Sequence, residues 1–145
     1  MSKVTSTCFC GAVQLRYSIE GDNLFVCHCT DDRKITSSMF ASNFVIKDDT
    51  LEWVRGKDQI TKYNMQKTIA TGNNMESNFC KICGSLMFRI SSGAKGMTIL
   101  RIGQVDDLHL HETKLKPRLE QFAKDRVAWQ QPIEGMEQHA NGALP

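Results

Sequence analysis

The chain lacks most of what would mark a membrane, secreted or nucleic-acid-binding protein. None of its 145 residues falls in an apolar run of 18, so no bilayer-crossing helix is encoded. The opening Met1-Ser2-Lys3-Val4-Thr5 has no apolar signal-peptide core, and neither it nor the closing Gly142-Ala143-Leu144-Pro145 carries a lipidation signal. Excess charge is also missing: 18 Lys plus Arg face 16 Asp plus Glu, with no basic stripe of interleaved aromatics, which argues against nucleic acid and anionic membrane as partners. No repeat, low-complexity tract or linker divides the chain, so residues 1–145 are expected to form a single domain with a real core. The expected compartment is the cytoplasm, where thiols stay reduced and six cysteines are better suited to metal than to disulfides.

Sustained helical periodicity is absent as well, and what replaces it is alternation. Val13, Leu15, Tyr17 and Ile19 alternate with Gln14, Arg16, Ser18 and Glu20, a strand with one buried face. Gly21-Asp22-Asn23 is expected as a hairpin turn, followed by a strand from Leu24 that delivers the chain to Cys27. Further strands are expected at 39–46, 51–55, 60–65, 68–71, 86–90 and 97–102, with an edge strand at 119–123 entered through Pro117. A short helical turn near 33–38 is compatible with the pattern; 105–113 is expected as a polar loop or hairpin and the tail from Gln130 as partly irregular. The expected class is all-β.

Cysteine is present, and it comes in close pairs. Cys80-Lys81-Ile82-Cys83-Gly84 is a C-x2-C knuckle whose glycine frees the backbone to turn amides toward sulfur. Cys8-Phe9-Cys10-Gly11 presents two thiols at i and i+2, on one side of an extended segment. Cys8, Cys10, Cys80 and Cys83 together make a tetrahedral four-thiolate zinc site that would tie residue 8 to residue 83; two disulfides, or thiols buried as small hydrophobes, are the competing readings. Four thiolates leave zinc no open position, so this site is structural in character.

The third pair differs. Cys27-His28-Cys29 is followed by Asp31, Asp32, Arg33 and Lys34, and supplies two thiolates with one further ligand nearby, Asp32 or in second place Asp31. Three protein ligands with one open position is the pattern of a catalytic zinc. His28 lies between two ligands on one side of a strand and should point away from them.

These motifs resemble a family. Cys8-x-Cys10-Gly11, Cys27-His28-Cys29, Arg33-Lys34 and Phe79-Cys80-x-x-Cys83-Gly84 look like the motif set of the glutathione-dependent formaldehyde-activating enzyme and centromere protein V family, and the similarity runs on through Lys116-Pro117 and Val127-Ala128-Trp129. The resemblance implies a tent-shaped β fold and a structural zinc on Cys8, Cys10, Cys80 and Cys83. It also implies a second zinc held by three cysteines in a C-H-C-x-x-C motif beside the thiol substrate. The implied activity joins formaldehyde to glutathione as S-(hydroxymethyl)glutathione, formally a carbon-sulfur lyase run in reverse. This chain departs from the pattern at the third cysteine, where it has Asp32. A carboxylate keeps the ligand charge but is harder and donates less to zinc. The competing reading is a lost second metal with Asp32 a solvated turn residue.

Three function classes follow: a zinc enzyme acting on glutathione or another thiol and an electrophilic carbon, a zinc-stabilised binding module without turnover, and, least favoured, a nucleic-acid-binding zinc ribbon. Arg33 and Lys34 are the cations best placed by adjacency to hold substrate carboxylates, with Lys67 and Arg101 as further candidates. His109 and His111 are expected as solvated loop residues, and Trp53 and Trp129 as core.

Overall fold

The structure, a computed structural model, describes residues 3–21 and 23–142. In chain order its strands are β1 (Lys3–Thr7), β2 (Gln14–Ser18), β3 (Leu24–Cys27), β4 (Ala41–Lys47), β5 (Glu52–Arg55), β6 (Ile60–Met65), β7 (Met75–Cys80), β8 (Leu86–Ser91), β9 (Met97–Arg101), β10 (Leu119–Gln121) and β11 (Glu137–Gln138). Two short helices, α1 (Thr30–Thr36) and α2 (Leu108–Glu112), interrupt them, so the molecule is mostly β-sheet, as expected.

The strands form two sheets. The small one has the order β1-β2-β5 and the large one β11-β10-β3-β4-β9-β8-β7-β6. Neighbours are antiparallel except β10, which runs parallel to both β3 and β11. The core lies between the sheets: Leu15 and Tyr17 of β2, flanked by Val13 and Ile19, meet Phe44, Ile46, Phe88 and Leu100 of the large sheet. Tyr17 packs on Phe44 with ring centroids 5.8 Å apart, and its hydroxyl is satisfied by Ser6 Oγ at 2.5 Å. Removing such a fully buried side chain, Leu100→Ala for example, costs about 2–5 kcal/mol through lost transfer energy and a cavity.

Strand alternation leaves the opposite face of the large sheet for other duty. Phe25 pairs with Asn43, Asn43 with Arg101, Val45 with Ile99, and Ile99 with Arg89, so these side chains share one face. That face lines a cleft rather than the core.

Several expectations need correction. Residues 68–71 form no strand; they make turns, with Ile69 N–H donating to Gln66 O and Gly72 N–H to Ile69 O, because β6 has already ended at Met65. The stretch 105–113 contains α2, capped by the Asp107 carboxylate accepting from His109 N–H at 3.1 Å. β10 is not an edge strand: it sits between β3 and β11, and Pro117 precedes the paired residues, so its missing N–H costs no ladder bond. β1, β7 and β11 were not anticipated; β7, with Glu76, Ser77 and Asn78, is too polar to signal a strand paired on both sides. Trp53 packs edge-on against Phe88 beside the core, whereas Trp129 is 74% exposed. The turn at 21–23 includes Asp22, which lies outside the described residues.

Candidate metal centres

The first cluster is built by two turns. Cys8 follows β1 in a turn closed by Gly11 N–H donating to Cys8 O at 3.0 Å; the pair is thus presented from a turn, not from an extended segment as expected. Gly11 has φ +84°, a left-handed conformation that a side chain would strain. Cys80 ends β7, and Gly84, with φ +80°, closes the second turn by donating to Cys80 O at 2.7 Å. The Sγ atoms of Cys8 and Cys10 lie 3.6 Å apart, and those of Cys10 and Cys80 3.8 Å apart. Zinc–sulfur bonds of about 2.3 Å put tetrahedral sulfurs about 3.8 Å apart, so this spacing fits zinc. All four donor atoms lie within 4.8 Å of one another.

The surroundings favour charged sulfur. Val13 N–H donates to Cys8 Sγ at 3.2 Å, and Cys83 Sγ contacts Ser85 Oγ at 3.2 Å. The Ser85 contact holds the Cys83 thiol down at about 5. Burial, and to a smaller extent Cys83, work against the Cys8 thiolate, but the Val13 amide, Cys10 and Cys80 outweigh them and lower its pKa. Cys10 goes the other way, up to about 12, because the Ala12 amide is outweighed by burial and by three neighbouring sulfurs. Crowded thiols that resist losing all their protons call for a cation among them.

The second cluster stands at the far side of the large sheet. Cys27 closes β3, Cys29 caps the N-terminus of α1, and Asp32 lies in that helix's first turn, its N–H donating to Cys29 Sγ at 3.4 Å. Their ligand atoms also lie within 4.8 Å of one another. The Cys27 and Cys29 sulfurs are 3.3 Å apart, with Cys27 as donor. That hydrogen bond pushes the Cys27 thiol up, aided by burial, and holds the Cys29 thiol down despite burial.

Asp32 is not a solvated turn residue: it is 3% exposed. Its Oδ1 accepts from Arg89 Nη1 at 3.2 Å and Arg101 Nη2 at 3.3 Å, and its Oδ2 from Asn43 Nδ2 at 3.4 Å. Arg101 also donates to Asn43 Oδ1 at 2.6 Å. Three donors on a carboxylate with about four lone-pair sites leave room for a metal on Oδ2. Burial pulls the Arg89 pKa down while the Asp32 charge pulls it up. In formal charge, one thiolate together with the Asp32 carboxylate would balance the two arginines.

His28 points away from both sulfurs. It is fully buried, and its Nε2 meets Glu120 Oε1 at 2.7 Å; Glu120 is fully buried too. Glu120 Oε2 accepts from Ile133 N–H at 2.9 Å and from Gln138 Nε2 at 2.6 Å, with Arg126 Nη2 3.5 Å away. Burial raises the Glu120 pKa, but these donors lower it further than burial raises it. Together with His28 N–H donating to Gln121 O at 3.1 Å, the pair fastens the Cys27–Cys29 segment to β10.

Cys27, Cys29 and Asp32 line a cleft of about 810 Å³, a volume ordinary for a small-molecule site. None of Cys8, Cys10, Cys80 and Cys83 lines it. The cations lining it are Arg89, Arg101 and Lys124. Arg33 and Lys34 are not among its lining residues: Arg33 donates to Asp125 O at 3.3 Å, and Lys34 is exposed. Lys67 does not line the cleft either, and His111 is tied to Val105 O at 2.9 Å. Sequence reasoning passed over Arg89 and Glu120; a lone arginine or glutamate in an alternating strand gives no sign of what lies opposite.

A family model described as glutathione-dependent formaldehyde-activating enzyme matches residues 3–125. No curated protein matches the sequence. Among solved structures, the crystal structure of a Rhodobacter sphaeroides protein is similar at a TM-score of 0.59 and 19% identity, covering 72% of this chain and 89% of that one, a likeness of fold. The two-turn cysteine knuckle, the Cys27-His28-Cys29 segment and the match over most of the chain lead to one assignment: the chain belongs to the glutathione-dependent formaldehyde-activating enzyme family.

Proposed function

We propose that this protein is a carbon-sulfur lyase-type zinc enzyme that joins a thiol, glutathione by family membership, to an aldehyde or other electrophilic carbon, and reverses that reaction. The observation that carries the reading is that Cys27, Cys29 and Asp32 converge on the wall of a ligand-sized cleft, while the four-cysteine cluster does not. Cys8, Cys10, Cys80 and Cys83 hold a structural zinc on this reading, and Cys27, Cys29 and Asp32 hold a second. Zinc bound at the second site would keep a substrate sulfur deprotonated near neutral pH and orient it.

The chain's own residues do the rest. Arg89 and Arg101 hold the Asp32 carboxylate in place and offset its charge. The Asp32 amide fixes the Cys29 sulfur, and the His28–Glu120 pair holds the segment between them against β10. With both thiols deprotonated, two thiolates, one carboxylate and two guanidiniums around a divalent cation would leave one positive charge, so an incoming thiolate would be favoured over a neutral ligand. In the forward direction the sulfur–carbon bond forms as the carbonyl π bond breaks, and the thiol proton ends on the former carbonyl oxygen. Lys124 at the cleft wall is the cation free of Asp32 that can take a substrate carboxylate.

One observation favours a second reading, a zinc-stabilised binding module that has lost the second metal: Arg89 and Arg101 already neutralise Asp32 without it. Zinc per chain, measured on the protein and on Asp32→Cys, each assayed with glutathione and formaldehyde, separates the two. About two zinc ions and adduct formation support the enzyme. About one, rising to two only in Asp32→Cys, supports the binding module.

A further inference from the structure

The sheet face that floors the cleft is divided. Nearest Cys27 it is polar, with Asn43, Arg101 and Arg89 gathered around Asp32. Beyond the Asn43–Arg101 pair it turns mostly apolar: Val45 pairs with Ile99, whose other neighbour Arg89 sends its guanidinium back to Asp32, then Met97 follows along β9, with Met75 of β7 beside Ser91. All of these line the cleft. From Arg101 to Met97 is four residues of strand, about 13 Å. Ile69 and Ala70 line it as well, on a loop pinned to α1 by Thr68 Oγ1 donating to Asp31 Oδ2 at 2.8 Å.

Formaldehyde brings one carbon, which leaves this apolar stretch without an occupant. Partly exposed Val45, Met75, Met97 and Ile99 side chains would face water unless the ligand covers them. We infer that the electrophile-derived half of the substrate is an apolar group several carbons long, such as that of an alkyl or aryl aldehyde, lying along Val45, Ile99 and Met97 while its sulfur sits at Cys27, Cys29 and Asp32. This rests on the reading of the cleft as the site of a thiol adduct, and adds what the thiol is joined to. The bond changes are those above: the same sulfur–carbon bond forms, and only the carbonyl's substituent differs.

Calorimetric titration of the protein with S-methylglutathione and S-hexylglutathione tests it, since these thioethers keep the peptide and vary only the apolar arm. A fully buried methylene is worth about a fourfold change in affinity. With chain ordering opposing, the hexyl compound should bind at least roughly tenfold tighter than the methyl one. Ile99→Asp should abolish that difference, and Met97→Gln should reduce it, the second variant standing in if the first does not fold. Equal affinities for the two compounds in the unmodified protein, or a preference untouched by both variants, would overturn the inference and leave the thiol reading standing. If neither compound binds while zinc content is normal, the glutathione reading falls and this inference with it.

Discussion

The two cysteine clusters are made from similar parts and are held in opposite ways. The cluster of Cys8, Cys10, Cys80 and Cys83 is supported by backbone: turns closed at Gly11 and Gly84, and the Val13 amide on Cys8 Sγ. Its ligands are all sulfur, and it joins the end of β1 to the turn between β7 and β8. The cluster of Cys27, Cys29 and Asp32 is supported by side chains from distant strands, Arg89 and Arg101 on one side and Glu120, through His28, on the other. It also borders a cleft, and the first does not. Backbone support with four soft ligands suits a fixed clip. Side-chain support with a mixed donor set would, on the proposed reading, leave a bound zinc one position for substrate.

That contrast is open to attack. The largest effect is expected from Cys80→Ser. Apparent zinc-binding energies of small structural sites, about 10–16 kcal/mol, match or exceed the 5–15 kcal/mol stability of a typical domain. The variant should therefore be unfolded or aggregated by circular dichroism, while Cys27→Ser should melt cooperatively near the parent temperature and lose adduct formation at least roughly 100-fold. Equal damage in both variants would erase the division between a fixed clip and a reactive site.

Next comes Arg101→Met, which leaves buried Asp32 with half its clamp. Breaking a buried pair in this way costs about 3–5 kcal/mol, measurable by urea unfolding. A smaller loss at two zinc ions per chain than at one, with the four-cysteine site filled in both, would show a second metal sharing that charge.

Glu120→Gln should cost less, about 1–3 kcal/mol, since an amide keeps part of the hydrogen bonding. It also has a pH signature. The folded-state pKa of Glu120 lies below its ordinary 4.5, so its contribution is present above that value and lost as pH falls through the folded pKa. The gap between the parent and Glu120→Gln should narrow as pH falls below 4.5 and close only below the folded pKa; a gap that does not narrow would mean that hydrogen-bond geometry, not charge, fastens the segment. The smallest effect is expected from Lys34→Ala, whose exposed side chain does not line the cleft: glutathione affinity should move less than twofold, against a loss of at least about threefold for Lys124→Ala.

The alternation of Val13, Leu15, Tyr17 and Ile19 was legible because a half-buried strand imposes period two on its own residues, and all four are buried. The polar strand β7 was not legible, since Ser77 and Asn78 are buried by neighbours in the sheet rather than by their own character. Residues 68–71 looked like a strand because Thr68, Ile69 and Thr71 have the composition for one, and only the end of β6 and the turns beyond it decide otherwise.

By itself the sequence determined the two cysteine pairs of the first cluster and the mostly β class, because these depend on spacings of two to four residues and on glycines whose conformations are local. Bringing the pairs together across 70 residues was the work of the fold. Only the tertiary structure decided what Asp32 is. Its arginine partners stand 57 and 69 residues away, and a carboxylate's character depends on which charges and donors surround it. The cleft was decided in the same way, being one face of a sheet whose strands come from the whole length of the chain, and strand pairing across such distances leaves no mark in any one segment.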